Sequence, residues 1–533
     1  MKNVVTCKIK CIAPNSNLKF VCYVVLGAIS SLISVAFALA VKWLINSVEY
    51  QQGEKAIVLS AIVLSAVVLL NFALGVTVRL LGDKICTLYE KKIKSAVISG
   101  YLASDYKNAS LVTSGDLVSR IDGDAIKVAS VRTNLLPNIV STLVRLVGTV
   151  TAMFVLQPIL TLLIMGVSLI FVALSFAVKK VVSKLHKNTR KGVSMESSFI
   201  SEVSSNVLAV KTFNAEDKIS SIANGKFEFV RSARLKEKYF SSFVSSTINL
   251  CFTAVYTLVA IFGVYGLYKG TFGVDFGVLT AMLQLVLQIR SPISSISGFF
   301  TARAEMEVSS ERLFEIMSEG EEKTELSSFD KMVLSEVSFS YGKGEVLKNL
   351  SLEFNKGDTV LINGASGIGK TTLAKVISGL YPVNSGKIFV TGGGCEYEPS
   401  KIKGLFAFVP QGNMIFSGTV KENVVFGKEY DEARLKFALK TACLYQTVDS
   451  FEFKEDTVLG GKFRLSEGQE QRLAIARAVY SDSEVIVLDE PTSALDIKTE
   501  EEVVKNLISL NKTLVVISHR PSFEKVATVK VEL

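Results

Sequence analysis

Residues 359–380 read TVLINGASGIGKTTLAKVISGL, an apolar strand pattern, a glycine-rich loop and a helix-like segment in direct succession. The loop glycines let successive backbone N–H groups converge on phosphate oxygens at the positive end of a helix. Lys370 can balance charge on the outer phosphates, and the Thr371 hydroxyl is a suitable magnesium ligand. An accidental glycine loop would need an accidental strand and helix beside it, so the stretch predicts a P-loop nucleotide-binding fold.

A second pattern, VIVLDE at residues 485–490, is a short apolar run of the buried-strand type that ends in two carboxylates. Parallel sheets bind ligands outside the carboxyl ends of their strands, which would place Asp489 and Glu490 at the nucleotide site. Taken alone, the two acidic residues could simply end a strand. Because the chain also contains a P-loop, a catalytic role is favoured. We expect Asp489 to bind Mg2+ and Glu490 to polarise the attacking water.

Three further features accompany the P-loop. Residues 465–469 read LSEGQ and open an amphipathic helical pattern, and residues 493–496 read SALD. His519, one of only two histidines, follows the last long apolar strand pattern. A lone histidine is more often a surface or satisfied core residue, but this position favours a function at the same site.

The N-terminal half has the composition of a membrane protein. Of 533 residues, 49% are hydrophobic and 20% charged, so the two characters must be segregated along the chain. Six apolar runs precede Phe300, most of them long enough to span hydrocarbon, which takes about 20 residues. We predict an all-α bundle of six transmembrane helices within residues 1–305, a linker at 306–330 and an α/β P-loop NTPase domain at 331–533. The six runs are Phe20–Val48, Ala56–Leu81, Leu135–Leu156, Ile159–Val178, Phe240–Tyr268 and Phe272–Ile289.

The charge distribution predicts the orientation of this bundle. The net charge of +9 alone could indicate nucleic acid or an anionic membrane surface as a partner. Much of the basic excess lies in the long connections near 82–134 and 179–238, whereas the short connections carry only Lys55 and Lys269. We therefore expect a multi-pass protein of the plasma or bacterial inner membrane, with both termini, the long loops and the NTPase domain cytoplasmic. Helical patterns in the long loops predict intracellular extensions of the helices.

The order of P-loop, LSEGQ, VIVLDE, SALD and late histidine resembles the nucleotide-binding domain of ATP-binding cassette (ABC) transporters. The apolar half resembles the exporter-type membrane domain fused upstream of it. This resemblance implies ATP and Mg2+ as cofactors, Tyr341 as the residue that stacks on adenine, Gln411 as a contact of the metal site and His519 as a sensor of the γ-phosphate. It also implies that Ser466 and Gly468 contact the γ-phosphate bound by an opposite subunit.

The resemblance assigns further residues to each role. The implied catalytic residues are Lys370, Gln411, Glu490 and His519, and the implied metal ligands are Thr371, Gln411 and Asp489. The implied ATP-binding residues are Tyr341, Gly364, Ala365, Ser366, Gly367, Ile368, Gly369, Lys370, Thr371 and Thr372. The signature that acts across the dimer is Leu465, Ser466, Glu467, Gly468 and Gln469, and the dimer loop is Ser493, Ala494, Leu495 and Asp496.

The chain also departs from the family pattern. Glu467 stands where the commonest signature has glycine, and VLGGKFR, ending at Arg464, lacks the acidic residue often found in exporters. By comparison with the family, we expect a terminal helix after His519 to be missing or abbreviated. About nineteen residues precede the first apolar run, so we expect no peptide-cleaving domain before it.

One P-loop per chain and a signature that acts across an interface imply a dimer. A homodimer is favoured because every recognisable catalytic position is intact, and a heterodimer with a second half-transporter is the alternative. The function implied is ATP-driven export of a peptide, lipid or amphipathic small molecule by alternating access. An ATP-gated channel or a regulatory membrane ATPase has the same architecture and is the alternative. A soluble nucleic-acid ATPase is disfavoured by the six apolar runs, so we expect the lipid bilayer and no nucleic acid as partners.

Three polar residues interrupt the apolar runs and are candidates for the substrate pathway. Arg145 lies near the middle of the third run, where a charge is costly unless it faces protein or water. Gln284 and Gln288 are one helical turn apart in the last run and share a face. Hydrogen bonds between helices or a hydrated vestibule would also account for all three.

Overall fold

A computed structural model describes residues 18–270, 273–317, 323–342, 344–412, 415–460 and 464–533. Within helices, some side chains of 163–183 and 293–297 also lie outside the described set. The chain divides into two compact units. Unit 1 contains residues up to 98 and residues 114–315, and unit 2 contains residues 99–113 and 316–533.

Unit 1 is helical in its described part. Its six long helices are α1 (Leu18–Glu49), α2 (Glu54–Ala103, whose last turns belong to unit 2), α5 (Ala125–Leu156), α6 (Pro158–Ser205), α8 (Glu216–Lys269) and α9 (Phe276–Glu315). Shorter elements between them are α4 (Ser114–Ser119), a π-helical segment (Arg120–Asp124) and α7 (Val207–Thr212). The 54 residues of α8 span about 80 Å at 1.5 Å per residue, far beyond a hydrocarbon core of about 30 Å. Helix α8 is therefore much longer than one crossing of a bilayer requires.

The predicted membrane spans correspond to these helices, with one difference in a boundary. Four stretches of the described chain are long and apolar enough to cross a bilayer: 18–49, 54–103, 114–156 and 216–269. That α6 and α9 also cross the membrane, which would make six spans, stays a prediction. The last helix begins at Phe276, because Asp275 Oδ1 accepts a hydrogen bond from Val278 N at 2.5 Å and so caps its first turn. Phe272, the predicted start, lies outside the described residues.

The helices of unit 1 pack around a common apolar core. Helices α1, α5, α6, α8 and α9 contribute to it, with Ala38, Met153, Val259 and Leu285 almost fully buried. Gly277 brings α9 against α1, since a Cβ there would lie 2.7 Å from Lys42 O. Helix α9 continues to Glu315, ten residues into the segment 306–330 that was assigned to a linker. That domain boundary stays a prediction.

Unit 2 contains a five-stranded parallel sheet and a four-stranded antiparallel sheet. The parallel sheet has the order β13-β4-β12-β11-β8 and the antiparallel sheet the order β3-β2-β5-β6, while β1 pairs with β7 and β9 with β10. The strands are β1 (Thr324–Glu325), β2 (Lys331–Ser340), β3 (Glu345–Asn355), β4 (Thr359–Asn363), β5 (Ser385–Gly392), β6 (Cys395–Tyr397), β7 (Ile402–Lys403), β8 (Phe406–Val409), β9 (Gly418–Thr419), β10 (Val458–Leu459), β11 (Val485–Asp489), β12 (Thr513–Ile517) and β13 (Val529–Glu532). The helices are α3 (Tyr106–Ala109), α10 (Lys370–Ile377), α11 (Val420–Val425), α12 (Glu432–Thr441), α13 (Tyr445–Asp449), α14 (Glu467–Ser481), α15 (Ile497–Ile508) and α16 (Pro521–Glu524).

The parallel sheet brings together segments that are far apart in sequence. Strands β4, β11 and β12 are buried along almost their whole length, as expected for strands covered on both faces. Register pairs Ile362 with Ile517 and Ile517 with Asp489. The carboxyl ends of β4, β8, β11 and β12 therefore meet at one edge of the sheet, where ligands of open parallel sheets bind.

Candidate ATP site

The P-loop connects β4 to α10 at this edge, and its glycines are sterically required. Gly364 and Gly369 have φ angles of 147° and 115°. A Cβ would lie 2.9 Å from Leu533 O at the first and 2.9 Å from Val346 Cγ1 at the second. Between them the loop is largely exposed, so its backbone amides are accessible to an anion at the start of α10.

Lys370 lies over the loop it follows. Its side chain is 9% exposed, and Nζ donates to Gly364 O at 2.7 Å and lies 2.8 Å from His519 Nε2. An ammonium group has only donors, so Nε2 accepts and the ring proton is on Nδ1. Because β4 and β12 are neighbours, the sheet places the predicted lysine and the predicted histidine within one hydrogen bond of each other. An incoming phosphate oxygen could replace either acceptor.

Asp489 is the group best suited to a metal. It is 2% exposed, and its Oδ2 has no hydrogen-bond partner. Burial raises the pKa of Asp489 above its ordinary value, and the neighbouring Glu490 adds to the rise, whereas the Thr371 hydroxyl and the amines of Lys375 and Lys370 oppose it. A buried carboxylate oxygen without a partner, beside a hydroxyl, fits a hard cation such as Mg2+. The residues present thus fit the implied metal.

Glu490 follows β11 in an unusual backbone conformation. Its φ is 48°, in the left-handed region that non-glycine residues rarely adopt, and its N–H donates to Ile517 O at 2.9 Å. Gln411, two residues after β8, donates from Nε2 to Glu490 Oε2 at 2.8 Å. Strain of this kind is common at functional sites, where the surrounding structure maintains it. The carboxylate is therefore oriented by groups from two neighbouring strands.

Tyr341 lies just after β2, with 54% of its side chain exposed. Its ring makes edge contacts with Phe339 and Tyr381, at centroid distances of 5.0 and 5.5 Å, and its hydroxyl lies 3.1 Å from Thr372 Oγ1. The hydroxyl contact connects the ring to the first turn of α10. Because more than half of Tyr341 is exposed, part of the ring remains accessible to a base that could stack on it. This geometry is compatible with the predicted adenine contact.

The LSEGQ segment forms the start of α14. Ser466 is its N-cap: Gln469 N donates to Ser466 Oγ at 3.4 Å, and Ser466 N donates to Gln469 Oε1 at 2.9 Å, which makes a capping box. Gly468 is required by packing, because a Cβ there would lie 2.8 Å from Ala494 O. Glu467 is exposed in the first turn, where a negative charge is favourable. The signature residues and the SALD residues are thus in contact.

Two residues that sequence patterns did not indicate hold the SALD segment. Gln471 Nε2 donates to Ser493 Oγ at 2.8 Å, and its Oε1 accepts from Ala494 N at 3.1 Å. Arg520, next to His519, donates to Ser493 O at 2.9 Å. Asp496 caps α15 by accepting from Thr499 N at 3.0 Å, and this backbone hydrogen bond lowers the pKa of Asp496. The SALD segment is therefore fixed between the signature helix and the strand that leads to His519.

The three candidate residues of the membrane region are not brought into one group. Arg145 lines a cavity between α5 and α9, and neither glutamine lines it. Gln288 Nε2 donates to Ser34 O at 2.8 Å, which is the interhelical bond considered above. The Oε1 atoms of Gln284 and Gln288 are buried without a partner. Their place in the substrate pathway stays a prediction.

Two protein-family models match the chain. The model of the ABC transporter transmembrane region matches residues 18–293, more than half of the chain, and the ABC transporter model matches residues 347–493. The chain belongs to the ABC transporters. The transporter thus has a helical membrane region fused to an ABC ATPase domain that couples ATP hydrolysis to transport. The resemblance of the sequence to exporter-type ABC transporters is thus confirmed.

Known relatives include transporters with different stated substrates. The transporter is 27% identical over 522 residues to the "Multidrug resistance ABC transporter ATP-binding and permease protein" of Lactococcus lactis subsp. lactis (strain IL1403), which covers 95% of this chain and 87% of that protein. It is 30% identical over 365 residues to the "ATP-dependent lipid A-core flippase" of Desulfotalea psychrophila, covering 66% of this chain and 63% of the flippase. The solved structure of a bacterial Atm1-family ABC exporter with ATP bound has the same fold, with a TM-score of 0.83, 18% identity, and coverage of 97% of this chain and 94% of that one.

Proposed function

We propose that the transporter is a half-transporter, two copies of which form two composite ATP sites and export a peptide, lipid or amphipathic small molecule from the cytoplasm. The observation that carries this proposal is the convergence of Lys370, Gln411, Asp489, Glu490 and His519 at one sheet edge. Within the described residues, no hydrogen bond joins the signature residues to the P-loop. A second copy would supply the signature to this site.

Each group at the sheet edge has a role in hydrolysis. Lys370 exchanges its bonds to Gly364 O and His519 for a phosphate oxygen, and His519 then contacts the same phosphate. Glu490 accepts a hydrogen bond from the attacking water, and Gln411 holds the carboxylate in place. Asp489, Thr371 and Gln411 would hold Mg2+, and the bound cation would supply positive charge to neutralise the phosphates.

A contact within unit 2 supports coupling of this site to the membrane region. The ring of Tyr106, in the segment 99–113 that follows α2, makes an edge contact with Tyr381 at a centroid distance of 5.6 Å. Lys375 Nζ lies 5.7 Å from the centroids of both rings. Tyr381 also contacts Tyr341, the proposed adenine-stacking residue. We infer that nucleotide binding acts on this cytoplasmic segment through the aromatic contacts and shifts the helices between inward-facing and outward-facing states.

Transport in proteoliposomes tests the proposal. We expect ATP-dependent accumulation of a substrate against its gradient, first identified by stimulation of ATPase activity with a panel of peptides, lipids and drugs. Lys370→Ala should abolish accumulation, whereas Lys436→Ala, which removes an exposed lysine paired with Glu432, should not. A substrate flux that needs ATP but runs only down the substrate gradient would show an ATP-gated channel instead.

A further inference from the structure

The cavity that contains Arg145 is polar and is built by two facing helices. Its volume is about 230 Å³, and its polar lining consists of Asn138, Ser141, Thr142 and Arg145 from α5 and Ser291 and Ser295 from α9. The α5 residues have the spacing i, i+3, i+4, i+7, so they form one face of that helix, and the two serines of α9 are one turn apart. A polar face of α5 thus lies opposite two serines of α9.

The charges in this cavity have one sign. Arg145 contributes the cation, and the amide and hydroxyl groups contribute donors; among the described residues that line the cavity, none is an aspartate or a glutamate. Hydroxyls and the Asn138 amide can donate to an anion or accept from a cation, but the guanidinium has donors only. The lining therefore selects for negative charge.

Within the described residues, Arg145 has no hydrogen-bond or ion-pair partner, although part of its guanidinium is buried. Its Nε is fully buried without a hydrogen-bond acceptor, and within the described residues no carboxylate pairs with it. By contrast, Arg120 pairs with Asp116 at 2.9 Å, Arg312 with Asp124 at 2.9 Å, and Arg290 donates to Asn249. An unpaired guanidinium in the middle of a membrane segment is costly, and ligands of opposite charge offset that cost.

We propose that the Arg145 cavity binds the anionic group, a carboxylate or a phosphate, of the substrate that the transporter exports. This inference rests on the export function proposed above and narrows its substrate to anionic amphiphiles. A cavity of about 230 Å³ is smaller than the roughly 300–1,000 Å³ of pockets that enclose a drug-sized ligand, so it holds a head group and not a whole amphiphile. Phe299, which also lines the cavity, offers an apolar surface to the chain attached to the head group.

Matched amphiphiles test the proposal on the full-length transporter in nanodiscs of neutral phosphatidylcholine. Dodecyl phosphate and dodecanoate are the anionic probes, and dodecyltrimethylammonium and dodecyl maltoside are the cationic and neutral ones. Binding is measured by equilibrium dialysis and by stimulation of ATPase activity. Arg145→Gln should weaken binding of both anionic probes about tenfold or more, because the charge-assisted hydrogen bonds from the guanidinium to the anionic group are lost. Arg145→Lys should retain most of the affinity.

Arg290→Gln is the matched control, because it removes an arginine of the same unit whose guanidinium already donates to Asn249. Equal affinity for anionic and cationic probes, no effect of Arg145→Gln, or an equal loss in Arg290→Gln would overturn the proposal. A second arm adds phosphatidic acid to the nanodiscs and repeats the dodecyl phosphate measurement. Weaker binding of dodecyl phosphate there would identify a membrane lipid as the source of the head group, and unchanged binding would identify a water-borne amphiphile. Wild-type ATP-driven transport without a preference for anions refutes only this inference, whereas a wild-type protein without ATP-driven transport refutes the export function.

Discussion

Replacing Glu490 with Gln removes one negative charge at the end of β11 and leaves the size of the side chain almost unchanged. The new amide retains an oxygen that can accept the 2.8 Å hydrogen bond from Gln411. That bond changes from charge-assisted to neutral, a loss of about 1 kcal/mol that does not affect the P-loop contacts of Lys370. We therefore expect ATP binding to remain within a few-fold of the wild type.

Hydrolysis should respond differently, because an amide cannot accept a proton from the attacking water. Loss of a general base costs about 10²–10⁴-fold in rate, or roughly 3–5 kcal/mol at 1.36 kcal/mol per tenfold. The assays are steady-state phosphate release and equilibrium binding of a fluorescent ATP analogue. Glu524→Gln, at an exposed position of the same domain, is the control. A kcat for Glu490→Gln within threefold of the wild type would refute the catalytic assignment.

Three further predictions concern unit 2. Burial raises the pKa of Asp489 above its value in the unfolded chain, so ionisation of this carboxylate destabilises the folded protein as the pH rises from the unfolded pKa through the folded pKa. Without nucleotide, Asp489→Asn should therefore raise the Tm at pH 7.5 by an amount that shrinks toward pH 4, and it should also abolish hydrolysis. A lower Tm at pH 7.5 would contradict this. Gly468→Ala should lower the free energy of unfolding by about 1–3 kcal/mol and reduce ATPase activity, because the new methyl group would press against Ala494 O. An unchanged free energy of unfolding together with unchanged ATPase activity would count against the packing argument. Burial raises the pKa of Cys443 to about 11, so roughly one Cys443 thiol in a thousand is ionised at pH 8. Mass spectrometry should therefore detect alkylation of the exposed Cys395 long before that of Cys443. Equal alkylation rates of the two cysteines in the native protein would contradict this prediction.

Much of the ATP site could be predicted because its signals are local. The P-loop lies within about ten consecutive residues, and the glycines, Lys370 and Thr371 are adjacent in sequence. Asp489 and Glu490 end an apolar strand, and the general rule for parallel sheets places such residues at the ligand-binding edge. To predict the 2.8 Å contact between Lys370 and His519, one would also have to know that β4 and β12 are neighbouring strands.

Other features depended on tertiary contacts that no local pattern encodes. Gln471 is an ordinary polar residue of an amphipathic helix until the fold places Ser493 beside it, 22 residues away in sequence. The start of the last helix at Phe276 depends on the Asp275 cap, whereas hydropathy alone extends the apolar run toward Phe272. The polar cavity around Arg145 required the register between α5 and α9, so the sequence could indicate the arginine but not its neighbours.

The central claim is that each ATP site is shared between two copies of the chain, with Lys370 from one and Ser466 from the other. A mixed-dimer experiment tests it most directly, using Lys370→Ala and Ser466→Arg chains with different affinity tags. Each variant alone should be inactive, since both of its sites carry a defect. Tandem-purified mixed dimers should regain ATPase activity, up to about half that of the wild type, because one of two shared sites then combines an intact P-loop with an intact signature. Mixed dimers no more active than either variant alone would contradict the account.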